Sequence, residues 1–145
     1  NPASEYIRNF VENVDRSKVI TARTVMRRPA VVATHKDGPH QAVRMMRESG
    51  HSTLYVVDQE RRFLGLVRID ETAELAKQGG KDLTPVLDRN VARTSLDTSL
   101  IDLMPDASGT AVPIAVLDER EHLAGIVTRA SILGAIGGEG ESHAA

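Results

Sequence analysis

Apolar and polar positions along the chain follow two spacings in turn, and the whole sequence of spacings occurs twice. Thr53–Asp58 and Arg62–Arg68 are β-branched, apolar runs joined by a polar turn, the pattern of paired strands. Before them, Ala42, Val43 and Met46 recur at helical spacing within Pro39–Ser49. Pro39 suits the first turn of that helix, and Gly50 suits the left-handed position after its last. A short β-rich stretch, Pro29–Thr34, precedes it, and a second helix over Asp70–Gln78 ends at Gly79-Gly80. The pattern then starts again. It predicts a strand at Val91–Ser95 and a helix from about Ser99, with Leu100, Ile101, Leu103 and Met104 apolar and Pro105 cutting it short. Strands at Ala111–Leu117 and Leu123–Thr128 follow, and a helix over Arg129–Ile136 ends at Gly137-Gly138.

The two halves align at a constant offset of 60 residues. Val56, Asp58, Gly65 and Val67 recur as Val116, Asp118, Gly125 and Val127, and Thr24, Val31 and Thr34 recur as Thr84, Val91 and Thr94. In each half the Asp opens the turn between strands, and the Gly lets two backbones approach closely. The order β-α-β-β-α, twice, predicts the α/β (α+β) class, with helices packed on sheets. The chain divides into residues 1–18 (a short helix and linker), 19–80 and 81–136 (the two repeats) and 137–145 (a tail). Ser4 can cap the leading helix through Val14, with Tyr6, Phe10 and Val14 on one face. The tail lacks large apolar residues and reads as disordered.

Composition narrows the function classes. The chain has 145 residues, no Cys and no Trp, with 41% hydrophobic and 26% charged residues. Without Cys, thiolate metal sites, iron–sulfur clusters, disulfides and cysteine nucleophiles are excluded. The longest apolar run, Ala111–Leu117, is far shorter than the roughly 20 residues that span a bilayer. Aromatic content of 3% argues against a stacking platform for single-stranded nucleic acid. The net charge of -2 is uneven: residues 1–50 carry nine Lys/Arg against five Asp/Glu, whereas residues 101–145 carry two against seven. The basic stretch Arg16, Lys18, Arg23, Arg27 and Arg28 is either a solvated linker or a contact for an anionic surface such as lipid. Duplex nucleic acid is not an expected partner for so weakly charged a chain.

No catalytic or metal constellation emerges. Gly79-Gly80-Lys81 lacks the spacing of a phosphate loop and reads as a helix terminator. The five His, at 35, 40, 51, 122 and 143, include no pair at helical spacing. Asp58, Asp118, Glu119 and Glu121 are explained by their turns and form no acid/base pair.

A duplicated β-α-β-β-α unit with a Gly-hydrophobic-Val strand end resembles a tandem pair of CBS domains, the Bateman module. The resemblance covers roughly Val19–Ile136 and is densest at Tyr55–Glu71 and Ala115–Ser131, with Thr24–Pro29 opening the first unit. It implies two repeats packed as a pseudo-two-fold pair, binding an adenine nucleotide or a related ligand such as cyclic di-AMP in two clefts. The motif is Gly, two hydrophobic residues, Ser/Thr, two further residues and Asp. The hydroxyl would reach a phosphate beside helix N–H groups, and the Asp would take the ribose hydroxyls. In the second repeat Thr128 is in place, but Ser131 stands where the motif has Asp. In the first, Arg68 replaces the hydroxyl and Glu71 the Asp, with Asp70 one place early. Replacing the carboxylate by a hydroxyl would weaken ribose binding on the order of 100-fold. Arg68 and Arg129 offer guanidinium groups to phosphate instead. The alternative is that Thr128 and Asp70 simply cap helices.

Within that family, residues 1–19 are similar to the junction between the ATPase domain and the CBS pair in ATP-binding subunits of glycine betaine/proline ABC importers. A start on Asn1-Pro2 fits a piece excised from such a subunit. The resemblance implies a regulatory, non-enzymatic module that pairs with a second copy. It would act on an ATPase domain of the same chain and, through it, on a membrane permease. It would sit in the cytoplasm at the membrane, sensing a nucleotide or ionic strength in osmoregulation. A ligand-independent dimerisation element, or a nucleotide-sensing CBS pair from another host, remains open.

Overall fold

The computed structural model describes residues 19–29, 31–109 and 113–137. The leading helix expected over Ser4–Val14 and the tail beyond Gly137 lie outside the described residues. The elements in chain order are α1 (Ala22–Val25), β1 (Val32–Thr34), α2 (Pro39–Ser49), β2 (Thr53–Val57), β3 (Phe63–Arg68) and α3 (Ile69–Lys77). A 3-10 turn (Thr84–Val86) leads to β4 (Arg93–Ser95), α4 (Leu100–Gly109), β5 (Ile114–Leu117), β6 (Leu123–Val127) and α5 (Arg129–Gly137). The structure is thus mixed α+β with two three-stranded sheets, ordered β1-β2-β3 and β4-β5-β6.

Most of the spacing rules have their counterpart, though the strands expected from Pro29, Val91 and Ala111 begin only at Val32, Arg93 and Ile114. Pro39 opens α2, and Gly50 follows it at φ 74, the left-handed closure expected there. Gly79 takes φ 81 after α3. Pro105 does not end α4, which continues to Gly109. The carbonyl that Pro105 leaves without an N–H partner belongs to Ile101, an exposed residue where water can serve it.

The described chain falls into two compact units. The first unit comprises Arg28–Val91 with Leu117–Ala124. Here β1 runs parallel to β2 (Val32↔Tyr55 to Thr34↔Val57), which requires the crossover that α2 provides. β2 and β3 pair antiparallel from Thr53↔Arg68 to Val57↔Phe63, with a register shift between Val56 and Val57. The core gathers Ala33, Ala42, Met46, Leu54, Val56, Val67 and Leu83. The Asp58 carboxylate organises the turn between β2 and β3, accepting the backbone N–H groups of Glu60 and Arg62 at 2.9 Å each. Arg61 is left-handed there, at φ 69. Asp118 does the same for Arg120 and His122 (2.8 and 2.9 Å), with Glu121 at φ 67.

Among the described residues, the second unit takes 19–27, those of Ala92–Val116, and 125–137. Its core joins Ala22 and Val25 of α1 to Leu100, Leu103, Ile114, Val116, Val127, Ile132 and Ala135. The stretch before Arg28 opens the first repeat in sequence, yet it packs in the second unit. Its backbone is bound there: Leu100 N–H donates to the Ile20 carbonyl (2.7 Å) and Ala22 N–H to the Thr98 carbonyl (2.9 Å).

Candidate ligand sites at the strand-to-helix turns

In the second unit, β6 delivers Gly125, Ile126 and Val127 and then turns at Thr128 into α5. The turn is closed by reciprocal bonds. Ser131 N–H donates to Thr128 Oγ1 (3.1 Å), and Thr128 N–H donates to Ser131 Oγ (2.9 Å). The Ser131 hydroxyl donates in turn to the Thr128 carbonyl (2.9 Å). This is a capping box with Ser in the place usually held by Glu or Gln, satisfying two N–H groups that the helix start leaves open. Ser131 is only 3% exposed. The hydroxyls at both motif positions are therefore engaged in holding the helix, while Arg129 is exposed on the first turn. The backbone of Ile126 is fixed by a two-way bridge to Arg27 (2.7 and 2.8 Å).

The corresponding turn of the first unit is charged. Arg68 precedes α3, which has no side-chain cap, and Thr72 closes the turn instead by donating to the Arg68 carbonyl (2.6 Å). The Arg68 guanidinium lies 3.0 Å from the Asp88 carboxylate and 4.0 Å from that of Glu71. Asp70 is exposed and, with Glu71, puts negative charge on the first turn of α3, where the helix dipole favours it. Asp88 is held by its backbone as well, exchanging both hydrogen bonds with Leu66 (2.8 and 3.0 Å). The Asn90 N–H and the Arg68 guanidinium keep the Asp88 carboxyl below the usual carboxylate range, against a weaker opposing effect of burial.

Gly65 makes the Leu66–Asp88 bridge possible, because a Cβ there would overlap the Asp88 carbonyl. At Gly125 the equivalent Cβ would meet the Met26 side chain, with Sδ at 2.7 Å.

Of the sequence-derived candidates, the structure brings Arg68 and Glu71 to one turn and Thr128, Arg129 and Ser131 to another. Asp88 was not among them. Nothing in its local sequence marks it, since its role comes from a bridge across 22 residues. Among the basic residues, Arg23, Arg27 and Arg28 are exposed, and Arg23 pairs with Asp97 at 3.3 Å. Arg16 and Lys18 lie outside the described residues. Among the described residues no group of three or more His, Cys, Asp or Glu is placed to hold a metal ion. No described helix is long and apolar enough to cross a membrane.

Two separate stretches of this chain, residues 22–75 and 81–138, match the family model of the CBS domain. The chain belongs to the CBS-domain family. Its tandem CBS repeats are 44% identical over 138 residues to the glycine betaine/carnitine transport ATP-binding protein GbuA of Listeria monocytogenes. That match takes in 95% of this chain and 34% of the relative, so the CBS pair spans about a third of the curated protein it resembles. Such transporter ATP-binding subunits carry the homologous region at their C-terminal ends. Among solved structures, Staphylococcus aureus OpuCA superposes with a TM-score of 0.69 at 22% identity, covering 79% of this chain and 97% of that one. CbpB, solved in complex with c-di-AMP, superposes with a TM-score of 0.74 at 16% identity, covering 88% and 91%. Both likenesses are of fold.

Proposed function

We propose that this CBS pair is the regulatory module of an ATP-binding subunit of a glycine betaine or proline importer. It senses a nucleotide or ionic strength and biases the ATPase domain of the same chain. The observation that carries this reading is the 44% identity to a betaine/carnitine transport ATP-binding protein over 95% of the chain. The module itself is not an enzyme; it works beside the membrane, in the cytoplasm, as part of a transporter complex and paired with a second copy.

The two turns suggest how a ligand would be read. A phosphate arriving at Arg68 meets a guanidinium already paired with Asp88, so it exchanges one anion for another. Net affinity is modest, but the exchange has a consequence: Asp88, once released, is held only by its bonds to Asn90 and Leu66. At the second turn Arg129 is the residue that offers charge to a phosphate, since Thr128 and Ser131 serve the helix. That same capping box supports the second reading, a ligand-independent dimerisation module whose motif has become structural. Exposed Arg23, Arg27 and Arg28 support the ionic-strength arm, because attraction to an anionic surface fades as the Debye length falls from ~10 Å at 0.1 M salt to ~3 Å at 1 M.

Thermal unfolding with ATP, ADP, AMP, cyclic di-AMP and S-adenosylmethionine at two salt concentrations tests the nucleotide arm. A ligand at 100 times its Kd stabilises by about 2.7 kcal/mol. For a domain of this size that is roughly 5–10 °C. A shift of that order that is lost in Arg68→Ala supports nucleotide sensing. No shift with any ligand at either salt leaves dimerisation or ionic-strength sensing as the function of the pair.

A further inference from the structure

The helical faces of the two units differ in what they offer a partner. In the first unit the exposed side of α2 and α3, opposite the buried Ala42, Met46 and Thr72, is charged. α2 exposes Arg44 and Arg47 against one acid, Glu48, and α3 exposes Asp70 and Glu74 against one base, Lys77. None of these six side chains forms an ion pair with any described residue. The furrow between the helices has a floor of Val43, Ala73 and Ala76, small enough to admit a ridge of side chains from another helix.

The second unit has little of this charge. α4 and α5 carry only Asp102, Asp106 and Arg129 as charged residues. Their exposed side chains include Ile101 and Met104, each 39% exposed, and Leu133, 68% exposed.

A face with its cations mainly on one helix and its acids mainly on the other is its own complement. A half-turn about a two-fold axis lays the cations of one copy on the acids of the next, twice over. The crossed arrangement, first unit against second, has no such match. It would strip water from charges such as Arg44 and Asp70 and set them against Ile101, Met104 and Leu133, which cannot pair with them. We infer that copies of this chain associate like to like, the α2–α3 face of the first unit meeting the same face of a second copy. This rests on the pairing proposed above and adds which unit meets which. The apolar face of the second unit is what selects against the crossed form.

Two charge reversals test this by sedimentation of the chain, each variant alone and then the two mixed. Arg44→Glu/Arg47→Glu makes the face largely acidic, and Asp70→Lys/Glu74→Lys makes it largely basic. Each alone should dimerise at least ~100-fold more weakly than the parent, because like charges then meet across the axis. An equimolar mixture should regain dimers to within ~10-fold of the parent Kd, since opposite faces meet again. Native amide spectra of the free variants show that they fold; if either is lost, Arg47→Glu and Glu74→Lys are mixed in the same way. A parent chain that stays monomeric would overturn the pairing itself and this inference with it. A dimeric parent whose variants pair as tightly as it does, or whose mixture is no tighter than either variant alone, would overturn the like-to-like arrangement and leave the pairing standing.

Discussion

The strand-to-helix turns of the two units descend from one pattern and are held by opposite chemistry. At Thr128 two neutral hydroxyls and two backbone N–H groups satisfy one another at the mouth of α5, and the arrangement involves no residue beyond Ser131 and Thr128. At Arg68 the helix has no side-chain cap, and a guanidinium reaches out to Asp88, 20 positions later in the chain. A local, neutral closure is indifferent to pH and salt. A long-range charged one couples its helix to whatever competes for the charge. The two repeats share one geometry, and differences at two or three positions close it with hydroxyls in one copy and with an ion pair in the other.

The sharpest way to test this contrast is at the paired glycines. Gly65→Ala should cost at least about 3 kcal/mol, because the new Cβ meets the Asp88 backbone, which is fixed by two hydrogen bonds. Gly125→Ala should cost only about 1–2 kcal/mol, since the Met26 side chain can move aside. Chemical denaturation of both variants measures the difference, and equal costs would mean that the two approaches are equally tight. Next in size, Ser131→Ala should cost about 1–2 kcal/mol by leaving the Thr128 N–H without its acceptor. Glu71→Ala, at the matching position, should be nearly neutral, because its ion pair is exposed and long. A costly Glu71→Ala would break the contrast.

The smallest effect is on pH dependence. In the folded state the carboxyls of Asp58, Asp88 and Asp118 titrate below their usual range. Burial works against this at Asp58 and is outweighed by the Arg62 backbone N–H and guanidinium, while at Asp118 the His122 N–H is the main cause. A depressed folded pKa means that the unfolded chain takes up protons first. The stabilisation is therefore complete above the unfolded value of about 3.9 and drains away as pH falls through the folded values. Thermal unfolding between pH 6 and pH 3 should show a slightly shallower decline in Asp88→Asn. Ser131→Ala should keep the slope of the parent while starting lower, since no charge is involved.

Much of this architecture was legible in the sequence, for identifiable reasons. α2 was readable to the residue because Pro39, an apolar stripe and Gly50 are all local signals acting at its two ends. The strands β2, β3, β5 and β6 were readable because Asp58 and Asp118 mark their turns with bonds only two to four residues long. Pro105 misled, because a proline disrupts a helix only as far as the orphaned carbonyl matters, and that of Ile101 is on the exposed face. The candidate site was half legible. Motif positions named Thr128, Ser131, Arg68 and Glu71, but motif reading assigns side chains to a ligand and does not see them bond to one another. Asp88, the uncapped start of α3 and the packing of α2 beside α3 all depend on contacts between distant segments. Spacing rules have no access to those.

The placement of α1 bears on how the chain is made. Ile20, Ala22 and Val25 are synthesised about 80 to 110 residues before Leu100, Val127 and Ile132, among the residues they bond to or pack against. At about 5–20 residues per second that interval is on the order of 10 s. During it, β1 to α3 can assemble on their own segment of chain, while the α1 segment has no native partner to cover its apolar side. The last residues of α5 would thus complete a core whose first members have waited longest, and a nascent chain that has emerged as far as Val91 should hold the core of the first unit, Leu83 included, beside an unfolded α1.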